Sequence, residues 1–140
     1  MSEDNTNNQF NSQTELKIQR GIRQVEDEVV IAIQNAFKQS QYGDLEESQF
    51  RNLVRVADTT ESTEVIKNFL LYQIGRDRKW GRGQNSLANR IIHDIDDPLH
   101  KQAKNIAKAA NSTDINGIWL ELIRRYLGYG ARYLTYKNKG

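Results

Sequence analysis

The sequence predicts an all-α protein, a compact bundle of five to six helices, and three observations carry that expectation. Apolar residues recur at spacings of three and four along most of the chain, and no alternating strand pattern competes with them. A single proline, Pro98, interrupts the 140 residues. The apolar stripes are separated by Ser, Asp and Gly residues of the kind that start and stop helices. The length suits one domain. That domain is expected over 13–140, behind a disordered tail over 1–12 that is polar and rich in Asn.

The first helix is predicted over Gln13 to Lys38. Ser12 and Glu15 have the spacing of a capping box, and Ile18, Ile22, Val25, Val29 and Ile33 form one stripe. Tyr42-Gly43-Asp44 reads as a turn. A short second helix, Ser48 to Ala57, turns Phe50, Leu53, Val54 and Ala57 inward. The third starts at Ser62 as N-cap, buries Val65, Ile66, Phe69, Leu70 and Ile74, and is expected to end at Gly75. A basic, flexible loop follows, from Gly75 to Gly83. The fourth helix, Ser86 to Ile95, presents Leu87, Ala88, Ile91, Ile92 and Ile95 to the core. Asp97-Pro98 reads as an N-cap with proline at the first helical position, opening a fifth helix to Ala110. The last runs from Asp114 to Tyr136 on Ile115, Ile118, Leu122, Tyr126, Tyr129 and Tyr133. Gly128 and Gly130 weaken it by about 1 kcal/mol each, and small residues there allow another backbone to approach.

Composition narrows the function. Hydrophobic residues make up 37% of the chain, a low share for a compact globule. Helices with so little apolar surface often complete their packing on partners. The absence of cysteine excludes disulfides, thiol catalysis and thiolate zinc sites. The N-terminus lacks the apolar core of a signal peptide, and no run approaches the ~20 apolar residues of a membrane span. A cytoplasmic protein with no membrane partner is expected.

No catalytic constellation stands out, so the protein is expected not to be an enzyme and to need no cofactor. His93, Asp94, Asp96, Asp97 and His100 lie close together, but these are the only two histidines in the chain. Asp97 is better used as a cap, and Asp94 and Asp96 are expected to face solvent. No serine sits in a nucleophile elbow. The loop from Gly75 to Gly83 lacks the Gly-Lys-Ser/Thr ending of a phosphate-binding loop.

Charge is distributed unevenly. Residues 1–61 carry six Lys/Arg against eleven Asp/Glu, and residues 62–140 carry fourteen against seven. An acidic helix neutralising a basic one would account for this, as would one face meeting an anionic partner. The basic residues fall into three groups. Arg76, Arg78, Lys79 and Arg82 crowd the glycine-flanked loop. Lys101, Lys104 and Lys108 form a stripe that also reads as a solvated face. Arg124, Arg125, Arg132 and Lys137 lie on the last helix. Guanidinium and ammonium groups bind phosphates through charge and directed N–H donors. Tyr126, Tyr129 and Tyr133 fit a core with wet hydroxyls better than a base-stacking platform.

Three segments taken in order resemble a known family. They are Ser48-Gln-Phe-Arg51-Asn-Leu53, then Ile66-Lys-Asn-Phe-Leu-Leu-Tyr-Gln-Ile-Gly-Arg76, then Arg125-Tyr-Leu-Gly-Tyr-Gly-Ala-Arg-Tyr-Leu-Thr-Tyr-Lys137. Together they resemble the Csm-type small helical subunit of type III CRISPR effector complexes, over roughly residues 48–140. The helix predicted over 13–38 has no counterpart in that pattern. The resemblance implies a non-catalytic subunit that stacks with copies of itself and with other subunits of such a complex. It also implies contact with the backbone of guide RNA and target RNA, without sequence readout. Arg51 and Arg76 are the RNA-binding residues it carries over by motif. With the basic residues above, the expected set is Arg51, Arg76, Arg78, Lys79, Arg82, Arg124, Arg125 and Arg132. Two other readings stay open. One is a DNA-binding regulator of helix-turn-helix type built on the fourth and fifth helices; the other is a helical protein–protein adaptor.

Overall fold

The structure, a computed structural model, describes the backbone of residues 2–139 and the side chains of residues 11–139. It is all-α. Six helices are present among the described residues: α1 (Ser2–Gln39), α2 (Glu47–Thr59), α3 (Thr63–Arg76), α4 (Leu87–Asp94), α5 (His100–Ala109) and α6 (Ile115–Lys139). The tail expected over 1–12 falls mainly on residues 1–10, whose side chains lie outside the described ones. Helix α1 is continuous from Ser2, so Ser12 does not cap it. Neither glycine nor proline lies between Ser2 and Arg20, and a capping pattern stops nothing where the backbone before it is already helical.

Helix α6 is the centre of the bundle and packs against α1, α2 and α5. Its stripe buries Ile118, Leu122, Ile123, Tyr126, Leu127 and Leu134. Ile18, Ile22, Val29 and Ile33 of α1 form the facing stripe, at intervals of four, seven and four residues. Gly130 permits this contact, because a Cβ there would stand 2.7 Å from Phe50 Cζ and 2.9 Å from Ile33 Cγ1. The close approach is by side chains of two helices, not by a backbone. Gly128 borders open space.

Several local expectations are corrected. Gly75 lies inside the last turn of α3, which ends at Arg76 with Asp77 extended. Val65 is 48% exposed, because α3 rests on its neighbours through Ile66 and Leu70. Segment 95–99 links α4 to α5 as a kink, with Asp97 extended at φ −160° and a cis bond to Pro98. The Asp97 side chain caps no helix. Asp94 is buried, not solvent-facing: the Tyr126 hydroxyl donates to its Oδ2 at 2.6 Å and Arg90 Nε donates to its Oδ1 at 3.2 Å. Burial and the adjacent carboxylate push the Tyr126 hydroxyl well above its ordinary pKa. Ser62 and Ser86 do cap α3 and α4, accepting from the amides of Val65 and Asn89.

Candidate nucleic-acid interface

The basic loop 77–86 is built around a tryptophan. Trp80 is fully buried and stacks on Phe50 of α2 with ring centroids 5.7 Å apart. Its burial anchors a chain that its cations would otherwise drive apart. The backbone is pinned as well. Gly43 N–H donates to the Lys79 carbonyl, Gln41 N–H to Asn85, Leu87 N–H to Gln41 and Ala88 N–H to Trp80. Gly81 holds φ +88°, and a Cβ there would lie 2.1 Å from the Gln41 carbonyl oxygen, so only glycine fits. The flexible loop read from the glycines is therefore an ordered one.

This anchoring positions five of the eight expected residues at one end of the molecule. Helices α2 and α3 pack together through a three-residue link, so they run antiparallel. Arg51, near the start of α2, and Arg76, at the end of α3, therefore share an end, and both are exposed. Arg78 and Arg82 flank Trp80 and are exposed too. None of these four guanidinium groups forms an ion pair with a described residue. Lys79 differs, pairing with Glu46 at 3.1 Å. The C-terminal turn of α6 closes the same end. Lys137 lies 5.6 Å from the Tyr42 ring, and Asn138 donates to the Leu45 carbonyl. A hydrogen bond donated to the Tyr42 hydroxyl oxygen raises the Lys137 pKa, so this ammonium stays charged. Asp44, Glu46, Glu47 and Asp77 also sit in these segments, so the end is cationic at its tips and not throughout.

The other three expected residues lie elsewhere. Arg124 donates through Nε to the Ala57 carbonyl at 2.9 Å and through Nη2 to Thr60 at 3.0 Å, closing the far end of α2. Arg125 bridges Glu26 of α1 at 3.0 Å and Glu121 at 2.9 Å. Tyr129 donates to the same Glu26, and that hydrogen bond, with Arg125, holds the Glu26 carboxyl below its ordinary range. Arg124 and Arg125 spend their donors inside the fold. Arg132 is exposed, 6.0 Å from the Tyr129 ring, on the side of α6 facing α1. Burial is invisible in a charge count, and nothing local to Arg124 or Arg125 marks them as internal.

The tyrosines sit in and against the core. Tyr126 is fully buried, and Tyr129 and Tyr133 are half-buried against it. His100 stacks on Trp119 at 4.1 Å, while His93 is exposed. Among the described residues no group of three or more His, Asp and Glu is placed to hold a metal ion. No described helix is long and apolar enough to cross a membrane. No family model, no curated protein and no solved structure matches the chain.

Proposed function

We propose that the protein is a non-catalytic small subunit of a type III CRISPR ribonucleoprotein, which binds guide and target RNA along the backbone and stacks with copies of itself. The observation that carries this reading is the convergence of Arg51, Arg76, Arg78 and Arg82 at one end, exposed and free of ion pairs. Arg51 and Arg76 are the two residues that the family motifs single out, and neither is spent on the core. Cations held on a rigid loop suit phosphate contacts, which set affinity and register without reading bases. Tyr72 of the same α3 motif is 62% exposed, with Leu71 at 57% and Val65 at 48%, which supports a neighbour packing on this helix.

Those same exposed side chains favour a second reading, a protein–protein adaptor that binds no nucleic acid. The regulator reading has less support. Helix α5 follows α4 through a kinked joint and the two do not pack as a pair, as the helices of a helix-turn-helix would.

A tagged pull-down from the native host tests these readings. Large partner proteins together with RNA of uniform length are the expected result. A partner that persists through nuclease and high salt, with no RNA, would replace this proposal with the adaptor. Recovery of one duplex DNA sequence would replace it with the regulator.

A further inference from the structure

A second cationic surface lies on α1 and α5, apart from the loop end. Helices α5 and α2 each pack on α6 but not on one another, so the two surfaces are built on separate elements. Between α1 and α5 runs a groove of about 530 Å³. It exists because the helices cross closely at Gly21, where a Cβ would stand 2.9 Å from Ile106 Cγ2. Gly21, Val25, Ile106 and Ala109 give an apolar floor, and Gln24, Gln102 and Asn105 add carboxamides.

The charge around this groove is one-sided. Lys17 and Arg20 line it from α1. On α5, Lys101 precedes Asn105 by four residues and Lys108 follows it by three, so both are its surface neighbours along the lip. Lys104, next to Asn105 in sequence, points about 100° away from it and belongs to the outer face of α5. All five cations are exposed, and none pairs with a described carboxylate. Helix α5 contains no Asp or Glu. Glu28 is the only carboxylate among the lining residues, and it is held by Gln102 Nε2 at 3.0 Å. Because a carboxylate only accepts, that contact fixes the amide with its nitrogen towards Glu28. The amide oxygen of Gln102 is then left buried without a donor.

We infer that the α1/α5 groove is a second binding surface for single-stranded RNA, with Lys17, Arg20, Lys101 and Lys108 on the phosphates and the apolar floor under the bases. One molecule would then hold two strands, or two segments of one strand, at two separate surfaces. A groove between two helices admits a single strand, and four unneutralised cations call for an anionic occupant. The inference rests on the RNA-binding reading above and adds a site that reading does not include.

The test uses a fluorescent 20-nucleotide oligouridine, the full-length protein, and anisotropy across a salt series. Two variants are compared with the parent: the groove triple Arg20→Ala, Lys101→Ala, Lys108→Ala and the loop triple Arg76→Ala, Arg78→Ala, Arg82→Ala. All six side chains are exposed, and thermal unfolding checks that both variants fold. Each triple should weaken binding and lower the log–log salt slope by about 2, at roughly 0.7 per lost phosphate contact. Four-thiouridine crosslinks should map to peptides of both α1 and α5. If the parent binds and only the loop triple weakens it, with no crosslink to α1 or α5, the groove inference falls and the RNA-binding reading stands. If the parent binds no RNA at any salt, both fall.

Discussion

Gly128 and Gly130 lie two residues apart on the same helix, yet their surroundings call for opposite outcomes on substitution. Gly130→Ala would force a methyl group against Phe50 and Ile33, and overpacking of this kind costs about 1–3 kcal/mol. Gly128 meets nothing within 4 Å, so Gly128→Ala removes backbone entropy from the unfolded chain at no steric cost. It should stabilise by about 0.5–1 kcal/mol. Urea unfolding of the two variants checks the pair, and a common sign would contradict the packing described here. The Asp94 carboxylate is a second residue-level case. Its oxygens are shared between Arg90 and the buried Tyr126 hydroxyl. Tyr126→Phe leaves Oδ2 without that donor and should cost about 1–3 kcal/mol, the range for a hydrogen bond to a buried charged group.

At the scale of elements, the loop 77–86 and helix α1 each depend on contacts far away in sequence. Trp80→Ala would remove the loop's anchor from beside Phe50 at about 3–5 kcal/mol. It should also release the loop locally. Trypsin cleaves after Arg and Lys, so limited proteolysis reads this directly. Cleavage after Arg78, Lys79 or Arg82 should be slow in the parent and fast in the variant. Helix α1 is tied to α6 through Glu26, which accepts from Tyr129 and Arg125. Those partners hold the Glu26 carboxyl below its ordinary value of 4.5. A carboxyl whose folded pKa is depressed contributes its full stabilisation above the unfolded value and loses it as pH falls through the folded one. Stability should therefore decline below about pH 4.5, and Glu26→Gln should flatten that decline while lowering stability near neutrality. Thermal unfolding from about pH 6 down to about pH 3 reads the difference.

For the molecule as a whole, charge is sorted by the fold and not by halves of the chain. The acidic first half contributes Lys17, Arg20 and Arg51 to cationic surfaces. The basic second half spends Arg90, Arg124 and Arg125 internally. A net charge of only +2 then coexists with local surfaces able to hold a polyanion. Four free guanidinium groups at the loop end set the expected salt dependence. At about 0.7 counterion per contact, raising salt fourfold should weaken RNA binding by these four about 50-fold. Filter binding at two salt concentrations measures it, and an affinity indifferent to salt would argue against phosphate contacts altogether. Losses in Arg76→Ala, Arg78→Ala should be equal for uridine-rich and adenine-rich strands, because backbone contacts do not read bases.

Helix identity was readable from local pattern because apolar periodicity and serine caps are short-range signals. The stripe Ile18, Ile22, Val29, Ile33 and the cap Ser62 needed only a few neighbouring residues to be recognised. Val65 and Gly75 were misplaced for a related reason. Periodicity marks a possible inner face but not its edge, and a glycine marks a possible helix end but not whether the chain turns there. The cations of the loop end were likewise legible as a cluster, since Arg76, Arg78, Lys79 and Arg82 are adjacent in sequence. Their rigidity was not, because it comes from Phe50 and from residues 41–43. Arg124 and Arg125 looked identical to free arginines until Ala57, Thr60 and Glu26 were brought beside them. The groove was hidden altogether, since Lys17 and Arg20 share it with Gln102 and Asn105 of α5 across about eighty residues of chain. Local order follows from spacing alone, whereas the availability of a charge depends on which distant groups the packing sets against it.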